Sequence, residues 1–225
     1  MSAAPEKLAE LRHLLARRFP TTPRVPGRTL PTGISSLDDP TGGLPLGAVT
    51  EIVCAAPSCG SQLLLEQLLA ATRATRTRVA LVDASDSFDP SSFYEDLLAH
   101  LVWVRCTAAT LSAKASATAD ALAATDLLTR DANLGLVVLD LRRADERELR
   151  RTPSTFWYRL QRAVEPADLA LVVITPRATV PSAQLRFILN ASHPATALAL
   201  ERPALSTALA PALQRQRLNI HTAVA

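Results

Sequence analysis

Apolar residues recur along this chain in two rhythms, and their alternation predicts the architecture. Short, near-continuous apolar runs rich in Val, Leu and Ile stand at 48–53, 79–84, 102–106, 134–140, 168–176 and 185–190. Runs of that length and composition read as strands, several of them buried on both faces. Between them, leucine and alanine return at helical spacing over 61–71, 91–101, 112–130 and 153–164. Parallel strands need a long crossover, and a helix supplies it. The alternation therefore predicts an α/β sandwich around a mostly parallel central sheet flanked by helices. Near the end the pattern changes. Residues 196–201 predict an antiparallel strand after the His193-Pro194 turn, and 205–218 a terminal helix in which Arg215 and Arg217 suit the negative C-terminal end.

Ahead of this alternation, residues 5–19 carry a single apolar stripe of Leu8, Leu11, Leu15 and Phe19, with Glu10, Arg12, Arg17 and Arg18 elsewhere. That is an amphipathic helix. Pro20, Pro23, Pro26 and Pro31 then break regular structure. A helix on such a tether can dock on its own domain or on a neighbour. The expected organisation is an N-terminal helix (1–19), a proline-rich linker (20–31), a core (32–203) and a C-terminal helix and tail (204–225).

Composition narrows the functional classes. A chain of 225 residues suits one core domain. The net charge of +3 is carried almost wholly by arginine, Lys7 and Lys114 being the only lysines. Arginine beside abundant alanine fits a G+C-rich coding bias better than a dedicated nucleic-acid surface. The three cysteines, Cys54, Cys59 and Cys106, are an odd number without a signal peptide, which predicts reduced thiols in the cytoplasm. They lack the second C-x-x-C pair or nearby His of a zinc site, so no metal is expected. No apolar run approaches the ~20 residues of a membrane span.

The candidate chemistry lies in the loop between the run at 48–53 and the helix at 61–71. Strand, loop and helix in this order are the frame of the phosphate-binding motif G-x-x-x-x-G-K-[ST]. There, backbone amides wrap the phosphates, Lys reaches the β- and γ-oxygens and the hydroxyl holds Mg²⁺. Here the loop reads Cys54-Ala55-Ala56-Pro57-Ser58-Cys59-Gly60-Ser61-Gln62. With Gly60 as the second glycine, Cys54 stands one place from the first, Ser61 takes the place of the Lys and Gln62 that of the Ser/Thr. The frame persists and the chemistry does not, so no nucleotide cofactor is expected.

Residues before and after the loop resemble the RecA family. The order and spacing of Thr32-Gly33, Ser36-Leu37-Asp38, Gly42-Gly43-Leu44-Pro45-Leu46-Gly47 and Glu51-Ile52 are similar to the stretch that precedes the phosphate loop in RecA recombinases. The likeness spans roughly 30–201 and implies a RecA-like P-loop fold with a degenerate nucleotide site. In the family pattern D-A-E-x-x-x-D-P a Glu activates the attacking water, and Ser85 occupies its place. Asp140 is similar to the carboxylate that holds Mg²⁺ through water, and reads as a relic that could equally bond loop amides. The family's γ-phosphate-sensing Gln is replaced by Pro176, and only residues 177–184 remain of the second DNA-binding loop. Loss of the Lys alone forfeits about 1.5–3 kcal/mol of charge-assisted hydrogen bonding. Three losses at separate steps of one reaction imply a protein that is not an ATPase. The segment 142–151, where the family carries its first DNA-binding loop, mixes arginines with Asp145, Glu146 and Glu148. It predicts at most weak single-stranded DNA contact through Arg142, Arg143, Arg150 and Arg151.

Within RecA-like proteins, the short length, the stretch His100-Leu101-Val102-Trp103-Val104-Arg105 and the clipped second loop are most similar to the ImuA type of mutagenesis accessory protein. That resemblance implies a binding module of SOS error-prone translesion synthesis. The implied partners are RecA, an ImuB-type Y-family-like protein and an error-prone replicative-type DNA polymerase. Two other readings stay open: a divergent RecA-family ATPase drawing a cation from Arg73, Arg76, Arg78 or a Lys in trans, and a SulA-type cell-division inhibitor.

Overall fold

Strand–helix alternation is realised over most of the chain in the computed structural model, which describes residues 27–106 and 116–217. The stripe of Leu8, Leu11, Leu15 and Phe19 lies outside the described residues. The strands are β1 (Thr29–Leu30), β2 (Leu44–Pro45), β3 (Ala48–Cys54), β4 (Val79–Asp83), β5 (Leu101–Arg105), β6 (Leu136–Asp140), β7 (Ala170–Thr175), β8 (Leu185–Leu189) and β9 (Ala212–Gln216). The α-helices are α1 (Ser35–Thr41), α2 (Ser61–Ala74), α3 (Glu95–Leu98), α4 (Ala117–Leu128), α5 (Glu146–Arg151), α6 (Ser154–Val164) and α7 (Arg202–Thr207). Seven strands form one sheet in the order β5-β4-β6-β7-β3-β8-β9, in which β9 alone runs antiparallel to its neighbour.

Side chains alternate across each strand, so the sheet presents two apolar faces. Ile52, Leu81, Val138 and Val172 face one core layer with Leu37 of α1, Leu64 and Leu68 of α2 and Leu209. Val49, Val82, Leu139 and Val173 face the other, with Leu122 of α4, Leu149 of α5 and Trp157 and Leu160 of α6. The molecule is thus a three-layer α/β sandwich with a mostly parallel seven-stranded sheet.

The stretch before β3 earns its residues locally. Asp38 accepts hydrogen bonds from the Thr32 amide (3.1 Å), the Thr32 hydroxyl (2.8 Å) and the Gly33 amide (2.9 Å), closing the turn that starts α1. Gly43 has φ 112°, and a Cβ there would stand 2.4 Å from the Leu30 carbonyl oxygen. Only glycine fits that approach.

Four elements differ from the sequence expectation. Within the linker expected over 20–31, Thr29–Leu30 pairs with Leu44–Pro45 as a small antiparallel ribbon. The helix expected over 91–101 is a 3₁₀ turn at Pro90–Ser92 and the single turn of α3, because Phe93 turns inward to Phe88 and Phe88 meets the edge of Trp103 (ring centroids 5.0 and 5.2 Å apart). The strand expected over 196–201 is a 3₁₀ helix, Ala195–Ala199. The terminal helix expected over 205–218 is instead α7 followed by β9, which pairs with β8. Pro211 forbids a continuous helix there, and β8 would otherwise leave its outer edge without a ladder.

A carboxylate crosses this apolar pattern in mid-sheet. Glu51 of β3 is fully buried, accepting from the Thr175 hydroxyl (3.0 Å), the amides of Thr179 (2.6 Å) and Val180 (3.0 Å), and Nε of Arg186 on β8 (2.6 Å). Every acceptor site of consequence is used, so the buried charge is compensated, and the loop 176–184 is drawn down onto the sheet. Glu51→Ala would leave the Arg186 cation without its counter-charge and two amides unpaired. We expect it to lower stability by about 3–5 kcal/mol. The double variant Glu51→Leu/Arg186→Met should recover most of that loss. Urea denaturation of the three proteins checks both.

Candidate functional site at the carboxyl edge of the sheet

The chain leaves β3 for β4, three places away in the sheet, and later reaches β8 on the other side of β3. In open α/β sheets, such divergence opens a crevice at the carboxyl ends of the strands. Here that edge gathers Cys54 from β3, Ser61 from α2, Asp83 and Ser85 from and after β4, Asp140 and Arg142 from and after β6, and Pro176 after β7.

Asp83 and Asp140 are directly opposite one another in the β4–β6 register, and both are buried. Asp83 is satisfied by amides, accepting from Ser85 (3.1 Å) and Phe88 (2.8 Å). Asp140 takes its partner from two residues on. Arg142 donates Nε to both carboxylate oxygens (2.9 and 3.0 Å), Nη2 to Oδ2 (2.5 Å) and its backbone amide to Oδ1 (3.0 Å). The remaining nitrogen, Nη1, reaches across to the Ser61 hydroxyl at 2.5 Å. Burial works against the Arg142 charge, but the Asp140 carboxylate beside it outweighs burial and holds the guanidinium above its ordinary pKa.

This corrects the reading of Arg142 as a solvated DNA contact: it is 15% exposed and committed to the loop. Of its proposed companions, Arg150 pairs with Glu146 (3.4 Å), while Arg143 and Arg151 are exposed. Asp140 bonds a cation as well as the loop amide that a relic carboxylate would take. Ser85 accordingly lies half-buried beside Asp83, and the neighbouring Asp86 is turned to Arg105 on the edge strand (2.7 and 2.8 Å). Arg73, Arg76 and Arg78 lie at and beyond the far end of α2, about 20 Å along the helix axis from Ser61, so none supplies a cation to the loop. Gln62 keeps Oε1 buried without a hydrogen-bond partner.

The loop itself is held from behind by the chain's later segment. The His193 amide donates to Ser58 O (3.0 Å) and the Ser192 hydroxyl to Pro57 O (2.7 Å). Gly60 has φ 84°, and a Cβ there would lie 2.4 Å from Leu209 Cδ2 and 3.0 Å from His193 Nε2. Inside the loop, the neighbouring Cys54 thiol is the largest cause pulling Cys59 down to about 6; the Ser61 amide, its own amide and Arg142 act the same way, and burial opposes them. The Cys59 thiol, burial and the Cys59 charge push Cys54 far above the ordinary thiol range.

Among the described residues, no group of three or more His, Cys, Asp or Glu side chains is placed to hold a metal, and no helix is long and apolar enough to cross a membrane. No family model and no curated protein matches the chain.

Sequence reasoning located the loop but missed what fills it. Its signal was present: Arg142 stands two residues after Asp140, the spacing that returns a side chain to the same side of an extended chain. Removing the guanidinium leaves Asp140 buried with one amide as its remaining partner. Arg142→Ala should cost about 3–5 kcal/mol, and Asp140→Asn in the same chain should restore a large part. Chemical denaturation of the full double-mutant cycle measures the coupling.

Proposed function

We propose that this protein is a non-catalytic RecA-like accessory factor of DNA-damage-induced, error-prone translesion synthesis, acting through protein–protein contacts and not through ATP turnover. The observation that carries the reading is Arg142, whose guanidinium joins Ser61 to Asp140 across the loop. Ser61 occupies the position of a phosphate-binding Lys, and Asp140 that of a Mg²⁺-holding carboxylate. Both are committed to each other through an internal cation. A nucleotide entering here would have to break charge-assisted bonds at a buried carboxylate, with neither Lys nor a hydroxyl at Gln62 in return.

The strand–loop–helix frame, the motif spacing from Thr32 to Ile52 and the short loop 176–184 support the RecA-like part of the reading. The pinning of that loop on Glu51 supports a role without the large nucleotide-driven loop movements of a recombinase. Expected partners follow from the ImuA-type resemblance: RecA, an ImuB-type Y-family-like protein and an error-prone replicative-type polymerase, with weak single-stranded DNA binding at most. The amphipathic stripe of Leu8, Leu11, Leu15 and Phe19 is the proposed anchor on a RecA-fold neighbour.

Two measurements test this. Millimolar Mg-ATP should leave the thermal midpoint unchanged, since a ligand of the folded state alone must raise it. A saturable rise that Asp140→Ala abolishes would return the divergent ATPase. Deleting residues 1–20 should leave thermal stability nearly unchanged while abolishing capture by immobilised RecA. Unfolding on deletion would place the helix in the protein's own core instead.

A further inference from the structure

A cavity of about 490 Å³ opens between the start of α1, the middle of α2 and the end of α7, within the size range of small-molecule sites. None of the described side chains that line it carries a charge. It is lined instead by neutral groups that can both donate and accept hydrogen bonds: the hydroxyls of Ser35, Ser36, Ser206 and Thr207, and the carboxamide of Gln67. Two of these are already engaged. Ser36 donates to Leu209 O (3.2 Å), tying α1 to the segment after α7, and Thr207 donates to Pro203 O (2.9 Å) within α7. The side chains of Ser35, Gln67 and Ser206 make no hydrogen bond within the described residues. Ser206 carries the most weight, because the residue is only 7% exposed. A hydroxyl so placed, with no partner from the protein, must find one in whatever fills the cavity. The charges nearby are spent elsewhere: Arg202 of α7 pairs with Glu66 of α2 (2.6 Å), and Asp38 accepts from Thr32 (2.8 Å) and Gly33 (2.9 Å). An ion entering here would lose hydration without gaining a counter-charge, and an apolar molecule would leave the carboxamide and hydroxyls unpaired. A neutral molecule dense in hydroxyls meets neither cost.

We propose that this cavity binds a neutral polyhydroxyl compound, a sugar or polyol, with Gln67 and Ser206 as its principal hydrogen-bonding partners and the exposed Ser35 at its rim. The Gln67 carboxamide sets a donor and an acceptor side by side, which suits two adjacent hydroxyls on one ligand. Ser206 then pairs with a third hydroxyl from the α7 side. Leu209 supplies an apolar wall against which the C–H face of such a molecule can rest. Its position gives binding a second consequence. Leu209 also closes on Gly60, where a Cβ would lie 2.4 Å from Leu209 Cδ2. A ligand that bridges α2 to α7 therefore tightens the same segment that holds the loop 54–62 from behind. This inference does not depend on whether the protein serves translesion synthesis.

The test is an amide NMR titration of the full chain with glucose, myo-inositol and trehalose as probes, and with acetate and methylammonium as charged controls. At least one of the neutral probes should give saturable shifts centred on the amides of 33–36, 67 and 203–209, while the ions leave those amides in place. Gln67→Ala and Ser206→Ala should each weaken that binding about fivefold, the loss of one neutral hydrogen bond of ordinary net strength. Both substitutions only remove atoms, and the dispersion of each variant's amide spectrum keeps the comparison among folded proteins. Four results would each overturn the proposal: no saturable shift with any of the three neutral probes, shifts that spread without limit over the whole surface, equal or tighter binding of either ion at these residues, or unchanged affinity in Gln67→Ala/Ser206→Ala.

Discussion

Two carboxylates facing each other at the ends of neighbouring parallel strands are the constraint around which this molecule is built. Asp83 and Asp140 occupy matching places in the register, buried on the face that carries α2. Like charges in that position repel and lose hydration together, a cost of several kcal/mol unless hydrogen bonds and an opposite charge offset it. The chain divides the task. Asp83 is met by two amides of the turn it starts, which fixes the path of 84–88. Asp140 is met by Arg142, whose planar fork has a nitrogen left to reach Ser61 and thereby tie β6 to the first turn of α2. A lysine could neutralise Asp140 but could not hold both oxygens and Ser61 in one plane.

A second polar knot lies on the opposite face and follows the same logic. Glu51 is compensated by Arg186, and its remaining capacity is taken by amides of the loop after β7. The Ser182 hydroxyl donates to Trp157 O at 2.8 Å, adding a tie from that loop to α6. Loops at the carboxyl edge are thus fastened inward from both faces. Arg142 joins the segments that leave β6 and β3, while those that leave β4 and β7 donate to Asp83 and Glu51 of the sheet. That leaves the described part of this edge pre-organised, as the proposed role as a platform for partners would require.

The architecture was legible because most of the sheet is buried on both faces. Continuous apolar runs such as 136–139 and 170–174 have no other stable use in a chain this size, and the helices between them repeat leucine at helical spacing. Errors cluster where burial is partial. At 196–218 the exposed edge strand β9 has little apolar signal, and only Pro211 argued against a helix. At 91–101 the aromatic contacts of Phe88, Phe93 and Trp103, made across sequence distance, overrode local helical spacing. The loop was legible as a frame because Gly60 requires φ 84° and close approach by Leu209. Its contents were not, since nothing in local spacing separates Arg142 from Arg143 except the side of the chain each one faces. Likewise, Glu51 read as part of a family motif, while its four hydrogen-bond donors come from residues more than a hundred positions away.

The sign of the charge in front of α2 connects the site's parts. A helix start carries a partial positive charge and unpaired amides, and in a phosphate loop a ligand supplies the compensating anion. In this chain the compensating groups are covalently present. The Cys59 thiol, held below its ordinary pKa, stands next to the residue that caps α2, and the Ser61 hydroxyl accepts from Arg142. Arg142 would add to the positive field if it stood alone, yet Asp140 holds it bidentately, so the cation enters the site already neutralised. That pairing lowers the net positive field an incoming polyphosphate would meet, although a basic side chain occupies the loop. Counting cations near the loop would suggest an anion site. Tracing Arg142 to Asp140 supports the opposite reading, proposed above, of a loop that supplies its own partners.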